Sequence, residues 1–395
     1  MKKRKPGLFL TCTLCLAGSA HAGLMDQFID DDGWVDGSDW VLDNAVGFMP
    51  VPIVITEPAV GEGLGAALAF FHPPKNYSKD EYEAALKERA KAKPGENKAG
   101  EKEKFVMPDV TVVAAAATNN GTWLVGGGHI AHWKDDTIRF EGIAGYASVN
   151  VNYYIPGPGG QDIPFEFNGE GFLSSLPLAF RLGGSNFFLG GNWNYSQVQT
   201  KFDKNNPILE PLNFKSTQSA LGVFLQYDTR NTTFTPTKGT YAEISYSKES
   251  DKVGSDWDFG LGELWVHQYF TLSPKWALGL RGDFIQIDGD YPFYAAPYIE
   301  LRGIPALRYQ GESVAVLEGD IAWRFHPRMA VNGFAGVGKA DDSFSDLSDS
   351  PSRVTRGLGF RYNAARKLGM WAGIDVAKGP EDTYWYITMG SPWRD

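Results

Sequence analysis

The sequence predicts an all-β fold, a transmembrane antiparallel β-barrel of about sixteen strands. Three observations predict it. The first residues form an export signal. The C-terminal half alternates apolar and charged residues with period two. The composition combines 46 Gly with 14% aromatic residues, and no run of roughly 18 apolar residues follows the N-terminus. Such plentiful aromatics argue against a disordered chain, and the missing apolar run argues against a helical membrane protein. A formal charge of −10 argues against a nucleic-acid partner, which requires a basic footprint.

Lys2, Lys3, Arg4 and Lys5 form a basic region, residues 7–20 a short apolar stretch, and Ala20-His21-Ala22 a small-x-small cleavage site. In that order they make a secretory signal over residues 1–22, too short to span a bilayer, with the mature chain starting at Gly23. Cleavage removes four positive charges and no acid, taking the formal charge from −10 to −14, and removes both Cys12 and Cys15. No disulfide, thiolate metal site or cysteine nucleophile is then expected. Residues 23–49 read as a periplasmic leader. Its Asp30-Asp31-Asp32-Gly33 and Asp36 invite a calcium reading, but the spacing fails the EF-hand pattern and no Glu completes it. No metal site is predicted. Ser38 followed by Asp39-Trp40-Val41-Leu42 predicts a capped short helix.

The barrel itself occupies 50–393. In 313–325, Ala315, Leu317, Ile321, Trp323 and Phe325 share one face and Glu318, Asp320 and Arg324 the other. In 274–287, Trp276, Leu278, Leu280 and Phe284 oppose Arg281 and Asp283; in 354–364, Leu358, Phe360 and Tyr362 oppose Arg361 and Asn363. In 368–377, Leu368, Met370, Ile374 and Val376 oppose Asp375, and in 382–393 Trp385, Ile387, Met389 and Trp393 line one face. A soluble β-sandwich would also alternate. It explains poorly why about ten such strands follow in series behind an export signal, with charges of both signs on the polar face. A membrane barrel puts the apolar face in lipid and the charged face in a wet lumen. Strands are predicted near 50–56, 62–72, 109–118, 121–133, 137–152, 163–182, 186–202, 216–228, 239–250, 258–271, 274–288, 313–325, 327–338, 354–364, 368–377 and 382–393, of which 163–182 could also be two.

With a periplasmic N-terminus, even-to-odd connections are periplasmic and short. Lys134-Asp135-Asp136, Gly183-Gly184-Ser185, Ser273-Pro274 and His326-Pro327 fit, and the long connections 203–215, 289–312 and 339–353 fall outside. Residues 73–108 break the rule as a charged periplasmic insertion, with nine basic and seven acidic residues between Lys75 and Lys104. They read as a solvated loop, or as a partner-docking element with one exposed helix over 80–93.

No catalytic set emerges, and the chain is not expected to be an enzyme. His129 and His132 are three apart and fall on opposite faces of a strand, His326 is a turn residue, and His267 lies mid-strand. Gly126-Gly127-Gly128 has no following Lys and no strand-to-helix switch, so it is no phosphate loop, and no cofactor is predicted.

Three segments together resemble the BamA/TamA family of outer-membrane barrels, of the bacterial surface antigen type. Tyr227-Asp228-Thr229-Arg230-Asn231-Thr232 with Pro236-Thr237-Lys238-Gly239 looks like that family's turn between two middle strands. Leu301-Arg302-Gly303-Ile304 resembles the tip of its inward-folded extracellular loop, where Ile304 replaces the usual aromatic. The last strand, with Ile387, Met389, Gly390 and a near-terminal Trp393, looks like the segment that assembly machinery recognises. The resemblance covers 216–393 well, and 46–72 also looks like short members. It implies that Arg302 reaches into the lumen and pairs with acidic residues on late strands. Gly336 stands where the family often has Asp, so the candidate partners are Glu318, Asp320 and Asp375. It further implies a short member without POTRA domains in the outer membrane of a Gram-negative bacterium. Such a barrel would assist insertion or translocation of a protein or lipid, with outer-membrane lipid and a periplasmic or outer-membrane protein as partners. The alternative is a passive channel or receptor barrel for small solutes. Pro50, Pro52 and Pro58 in and after the first strand cannot donate to a ladder, so the first-to-last-strand seam should pair poorly.

Intact-mass measurement of the purified protein should place its N-terminus at Gly23 and find no thiol reactive towards maleimide. A mass retaining Cys12 and Cys15 would contradict the signal assignment.

Overall fold

The computed structural model describes residues 28–30, 32–38, 40, 48–73, 78, 81, 109–156, 162–202, 213–232, 235–366 and 369–393. Sixteen strands form one sheet in chain order: β1 (Phe48–Ile55), β2 (Gly63–His72), β3 (Asp109–Thr118), β4 (Trp123–Trp133), β5 (Ile138–Pro156), β6 (Asp162–Arg181), β7 (Phe187–Phe202), β8 (Phe214–Asp228), β9 (Gly239–Glu249), β10 (Asp258–Ser273), β11 (Trp276–Asp290), β12 (Ser313–His326), β13 (Met329–Asp341), β14 (Arg353–Ala365), β15 (Met370–Lys378) and β16 (Thr383–Met389). Each pairs antiparallel with the next, as far as β15 with β16. The predicted 163–182 segment is one strand of 20 residues.

The burial pattern is that of a soluble protein turned inside out. Leu64 and Leu358 are 71% and 73% exposed, and Leu317, Val223, Ile244 and Ile374 lie on the same outer surface. Thr200, Thr355, His267 and Asp375 are fully buried on the inside. Water would penalise so large an apolar surface, whereas hydrocarbon matches it. Aromatic pairs ring both ends of the belt. Trp123 stacks on Tyr146 near the extracellular end, and Trp276 on Trp323 near the periplasmic end. β5 and β6 have 19 and 20 residues, about twice what a tilted strand needs to span the bilayer. Their extra length carries Val151 and Phe167 beyond the membrane, where they pack with Phe202 against Phe293 and Tyr294.

Several inner-face charges are paired. Arg139 bonds both Asp136 and Asp228, and Arg181 reaches Asp136 across the β4–β5 turn. That turn holds Lys134, Asp135 and Asp136 at positive φ, and the two arginines help fix it.

Three differences from expectation have physical causes. The last strand ends at Met389, not 393. Gly390 turns the chain at φ 80°, Pro392 follows, and Trp393 is buried within the lumen, beside His267 and Tyr269 of β10. Trp393 is therefore not on the apolar outer face. Its indole N–H requires a buried acceptor and donates to Glu318 Oε2 at 2.9 Å. At the leader, Ser38 is already helical, and the cap is Asp36, whose Oδ1 accepts from the Ser38 N–H at 2.7 Å. Asp39 and residues 41–47 lie outside the described residues, as do the signal over 1–22 and most of the 73–108 insertion. Within that insertion, Ser78 and helical Glu81 cap each other reciprocally.

The leader's aspartates hold arginines. Arg328, fully buried in the β12–β13 turn, bonds Asp30 at 2.5 Å, Asp32 at 2.8 Å, and Asp36; Arg366 adds Asp30 at 2.8 Å. Tyr362 Oη donates to the Val35 carbonyl, and Gly37 N–H to that of Ala364. The leader is thereby clamped beneath the last turns of the barrel. The Arg328 hydrogen bond holds the Asp32 carboxyl below its ordinary value of 3.8. A depressed carboxylate contributes stability that is complete above the unfolded value and lost as pH falls through the folded one. Limited proteolysis should therefore find residues 28–38 protected at pH 5 as at pH 7. Arg328→Ala should expose them at both. Equal protection in that variant would contradict the clamp.

Candidate functional site

The site is built by the connection between β11 and β12, residues 291–312. Its hydrophobic side explains its path. Ile299, Leu301 and Ile304 are buried with Val314 and Val316 of β12. β13 makes room for them. A Cβ on Gly336 would lie 2.6 Å from Leu301 Cδ2, and one on Gly338 would lie 2.4 Å from Ile299 Cγ2. The glycine at 336 is thus the notch for a loop leucine, and Ile304, which departs from the aromatic usual in the resembled family, fills the same aliphatic cluster.

Packing on this cluster aims Arg302 at the inner faces of β12 and β15. Its Nε and Nη2 donate to Glu318 Oε1 at 2.9 and 2.7 Å, Nη2 to Asp320 Oδ2 at 2.9 Å, and Nη1 to Asp375 Oδ2 at 2.8 Å. Its guanidinium carbon lies 3.5 Å from the Phe334 ring centroid. Burial alone would weaken its hold on the proton; the carboxylates of Glu318, Asp320 and Asp375 outweigh that and strengthen it. Gly303 follows at φ 99°, and a Cβ there would meet the Gly379 amide at 3.0 Å. A side chain would be strained there twice over, by conformation and by contact.

Several participants escape sequence reasoning. Arg361 shares Asp375, with bonds of 2.5 and 2.8 Å. Asn332 donates to Asp320 at 2.9 Å. Arg281 bonds Asp283 at 2.6 Å and approaches Glu318 at 3.8 Å. Trp393 closes the second oxygen of Glu318. The alternation places Arg361 and Arg281 on the inner face but cannot say which carboxylate each meets. For Trp393 the signal was the Gly-Ser-Pro that precedes it.

The same connection touches both ends of the sheet. Glu57, in the β1–β2 turn, accepts the Ala306 N–H at 3.2 Å. Burial pushes the Glu57 carboxyl up, and the N–H groups of Ala306 and Ala59 oppose that. Gly303 N–H donates to Tyr386 Oη of β16 at 2.8 Å. Arg308 and Tyr309 both bond Glu381 in the β15–β16 turn. Leu307, just before them, has φ 62°, a conformation that costs about 1–3 kcal/mol in a non-glycine residue and is held by packing on the aromatic cluster at the ends of β5–β7.

What these contacts bridge is a gap in the ladder. Among the described residues the sheet runs from β1 to β16 and does not return from β16 to β1. Across the gap, Ile387 N–H reaches Thr56 Oγ1 at 3.2 Å, and Trp385 Nε1 reaches Glu62 Oε1 at 3.2 Å. Pro50 and Pro52 of β1 supply no N–H. Of the last-strand residues, Ile387 and Met389 face outward, while Gly390 and Trp393 lie beyond the strand.

Residues 164–298 match the family model of the Omp85 superfamily domain. Over those residues the chain is similar to an Omp85 superfamily domain. Solved Omp85-like barrels superpose on most of it. BamA from Haemophilus ducreyi lacking POTRA domains 1–3 is 12% identical, with a TM-score of 0.56, over 87% of this chain and 70% of that one. CdiB from Acinetobacter baumannii is 11% identical, with a TM-score of 0.51, over 87% and 59%. CdiB from Escherichia coli is 12% identical, with a TM-score of 0.54, over 86% and 62%. The chain thus spans less than two thirds of either CdiB structure. No curated protein matches it in sequence. The Omp85 match, the shared barrel fold and the apolar belt together make this an integral outer-membrane β-barrel.

Removing Arg302 would leave Glu318 and Asp320 buried around an empty centre, and one-sided loss of a buried pair costs about 3–5 kcal/mol. Arg302→Ala should therefore lower the temperature at which the folded band disappears in heat-modifiability gels. Arg302→Lys, which keeps charge but loses the fork, should fall between. An unchanged transition in both would contradict the arrangement.

Proposed function

We propose that this barrel assists insertion or translocation of a protein at the outer membrane, through the seam between β1 and β16. The observation that carries this reading is the missing ladder. Among the described residues fifteen neighbouring pairs are hydrogen-bonded, and in place of the sixteenth, which would close the barrel, stand two hydrogen bonds that involve side chains. Backbone groups along an unpaired edge seek partners, and an incoming strand offers them. Elsewhere in the wall, separating two strands would break a full ladder.

Residues 291–312 act as a clasp over that seam. They are anchored on the β12–β15 side by Arg302, and they hold the first hairpin through Glu57 and the last through Tyr386 and Glu381. Arg302 and Gly303 would thus serve as a structural lock rather than as reacting groups. The Omp85 domain and the likeness to BamA and CdiB barrels support a protein client, with a periplasmic or outer-membrane protein as partner. A passive solute channel is not favoured, because the same clasp lies against the lumen wall.

Cysteines at Thr56 and Ile387, whose backbone and side-chain atoms meet at 3.2 Å, would tether the seam. Oxidation should abolish the chain's contribution to the outer-membrane protein profile of its host, and reduction should restore it. A tethered protein that supports the same profile as the untethered one would contradict the seam mechanism.

A further inference from the structure

A cavity of about 490 Å³ opens at the periplasmic end of the lumen, remote from Arg302. It is framed by successive turns, and its lining includes Lys275, Arg324, Trp371, Pro274 and Thr237. Two of these are neighbouring cations. β11 and β12 pair Trp276 with Trp323, so one step further towards the periplasm Lys275, in the β10–β11 turn, faces Arg324. The Arg324 N–H donates to the Lys275 carbonyl at 2.8 Å, which holds the two backbones side by side at the periplasmic rim.

Like charges directly opposite each other on neighbouring strands destabilise a sheet. The rest of the lumen avoids this. Arg139, Arg181, Arg281 and Arg361 each meet a carboxylate. Arg324 is half-buried and Lys275 exposed, and among the described residues neither has a carboxylate partner; the Arg324 guanidinium carbon lies 5.5 Å from the Trp371 ring centroid. In a chain of net charge −10, a pocket with two uncompensated cations is against the overall balance, and it is supplied with room for a guest.

We propose that Lys275 and Arg324 form a binding site for a phosphate ester. The planar guanidinium offers two parallel N–H groups to two phosphate oxygens, and the ammonium adds a point charge for a third. Two cations match a phosphate better than a single carboxylate. Pro274 and Trp371 give the pocket an apolar wall for the glycerol or alkyl part of an ester. The depth is also suitable. The stacked Trp276 and Trp323, with centroids 6.0 Å apart, are the immediate chain neighbours of Lys275 and Arg324, and interfacial aromatics mark the level of the headgroups. The phosphate is thus that of an inner-leaflet phospholipid or of a soluble periplasmic ester, which share this chemistry. The inference stands on the pocket and its charges, and does not depend on the seam.

The test is native mass spectrometry of the full chain, delipidated in neutral detergent, titrated with dioleoyl phosphatidylglycerol, with dioleoylglycerol as the phosphate-free control and with sodium phosphate as competitor. One phosphatidylglycerol should be retained and dioleoylglycerol not. Arg324→Gln and Lys275→Gln should each weaken retention about tenfold, the loss expected when one charge-assisted contact is removed. Arg324→Lys should keep part of it. Loss of retention in the variants without competition by millimolar phosphate identifies a lipid headgroup. Competition by phosphate identifies a site open to soluble esters. Equal retention by wild type and both glutamine variants, or equal retention of dioleoylglycerol, overturns the proposal. Heat-modifiability of each variant on gels separates loss of the site from loss of the fold.

Discussion

A single guanidinium organises the last third of the barrel. Three carboxylates, Glu318, Asp320 and Asp375, project from β12 and β15 into one small region, where Glu318 and Asp375 are almost completely buried. Three like charges in such a space would repel strongly, and desolvation would add to the cost. Arg361, Arg281 and Asn332 neutralise or solvate part of this from the wall itself. The remainder requires a cation from elsewhere. Arg302 arrives on a loop, so the electrostatic need of the wall becomes a geometric constraint on the loop. Leu301 and Ile304 on either side of the Arg-Gly pair convert that constraint into buried apolar area, and the glycine notches in β13 admit it.

Once the loop is held there, its two flanks have defined neighbours. One flank meets the first hairpin at Glu57, the other the last hairpin at Glu381 and Tyr386. These are the two halves of the sheet that no ladder joins. An outer-membrane barrel normally removes its edges by closing. This one keeps two edges and covers them with polar contacts from a loop, a short seven-residue last strand and a C-terminal turn that sends Trp393 inward. Each of these contacts is weaker than a strand pair and can be broken without disturbing the other fifteen pairs. The leader makes a comparable arrangement at the opposite end, where Arg328 collects the aspartates beneath β12–β15.

The strands were the most legible part of the sequence. Period-two alternation with charges of both signs on one face has few physical explanations, and lipid outside with water inside is the simplest. Boundaries shifted where a strand runs past the membrane, as β5 does to Pro156, because outside the bilayer the alternation no longer carries information. Residues at the site were legible one by one as inner-face charges. Their pairings were not, because a partner across the lumen depends on shear and on the loop's path. Asp30, Asp32 and Asp36 show the limit: a cluster of carboxylates looks the same in sequence whether it awaits a metal or an arginine nearly three hundred residues later. Trp393 was misplaced because alternation was carried through Gly390 and Pro392, residues that end a strand.

The central claim is that the wall is weak at one place, between β1 and β16, and continuous elsewhere. Backbone hydrogen exchange of the barrel in nanodiscs tests it most directly, since exchange reports local opening strand by strand. The account predicts rapid exchange over residues 48–55 and 383–389, with β6, β7 and β8 exchanging far more slowly. Uniform protection around all sixteen strands would contradict it.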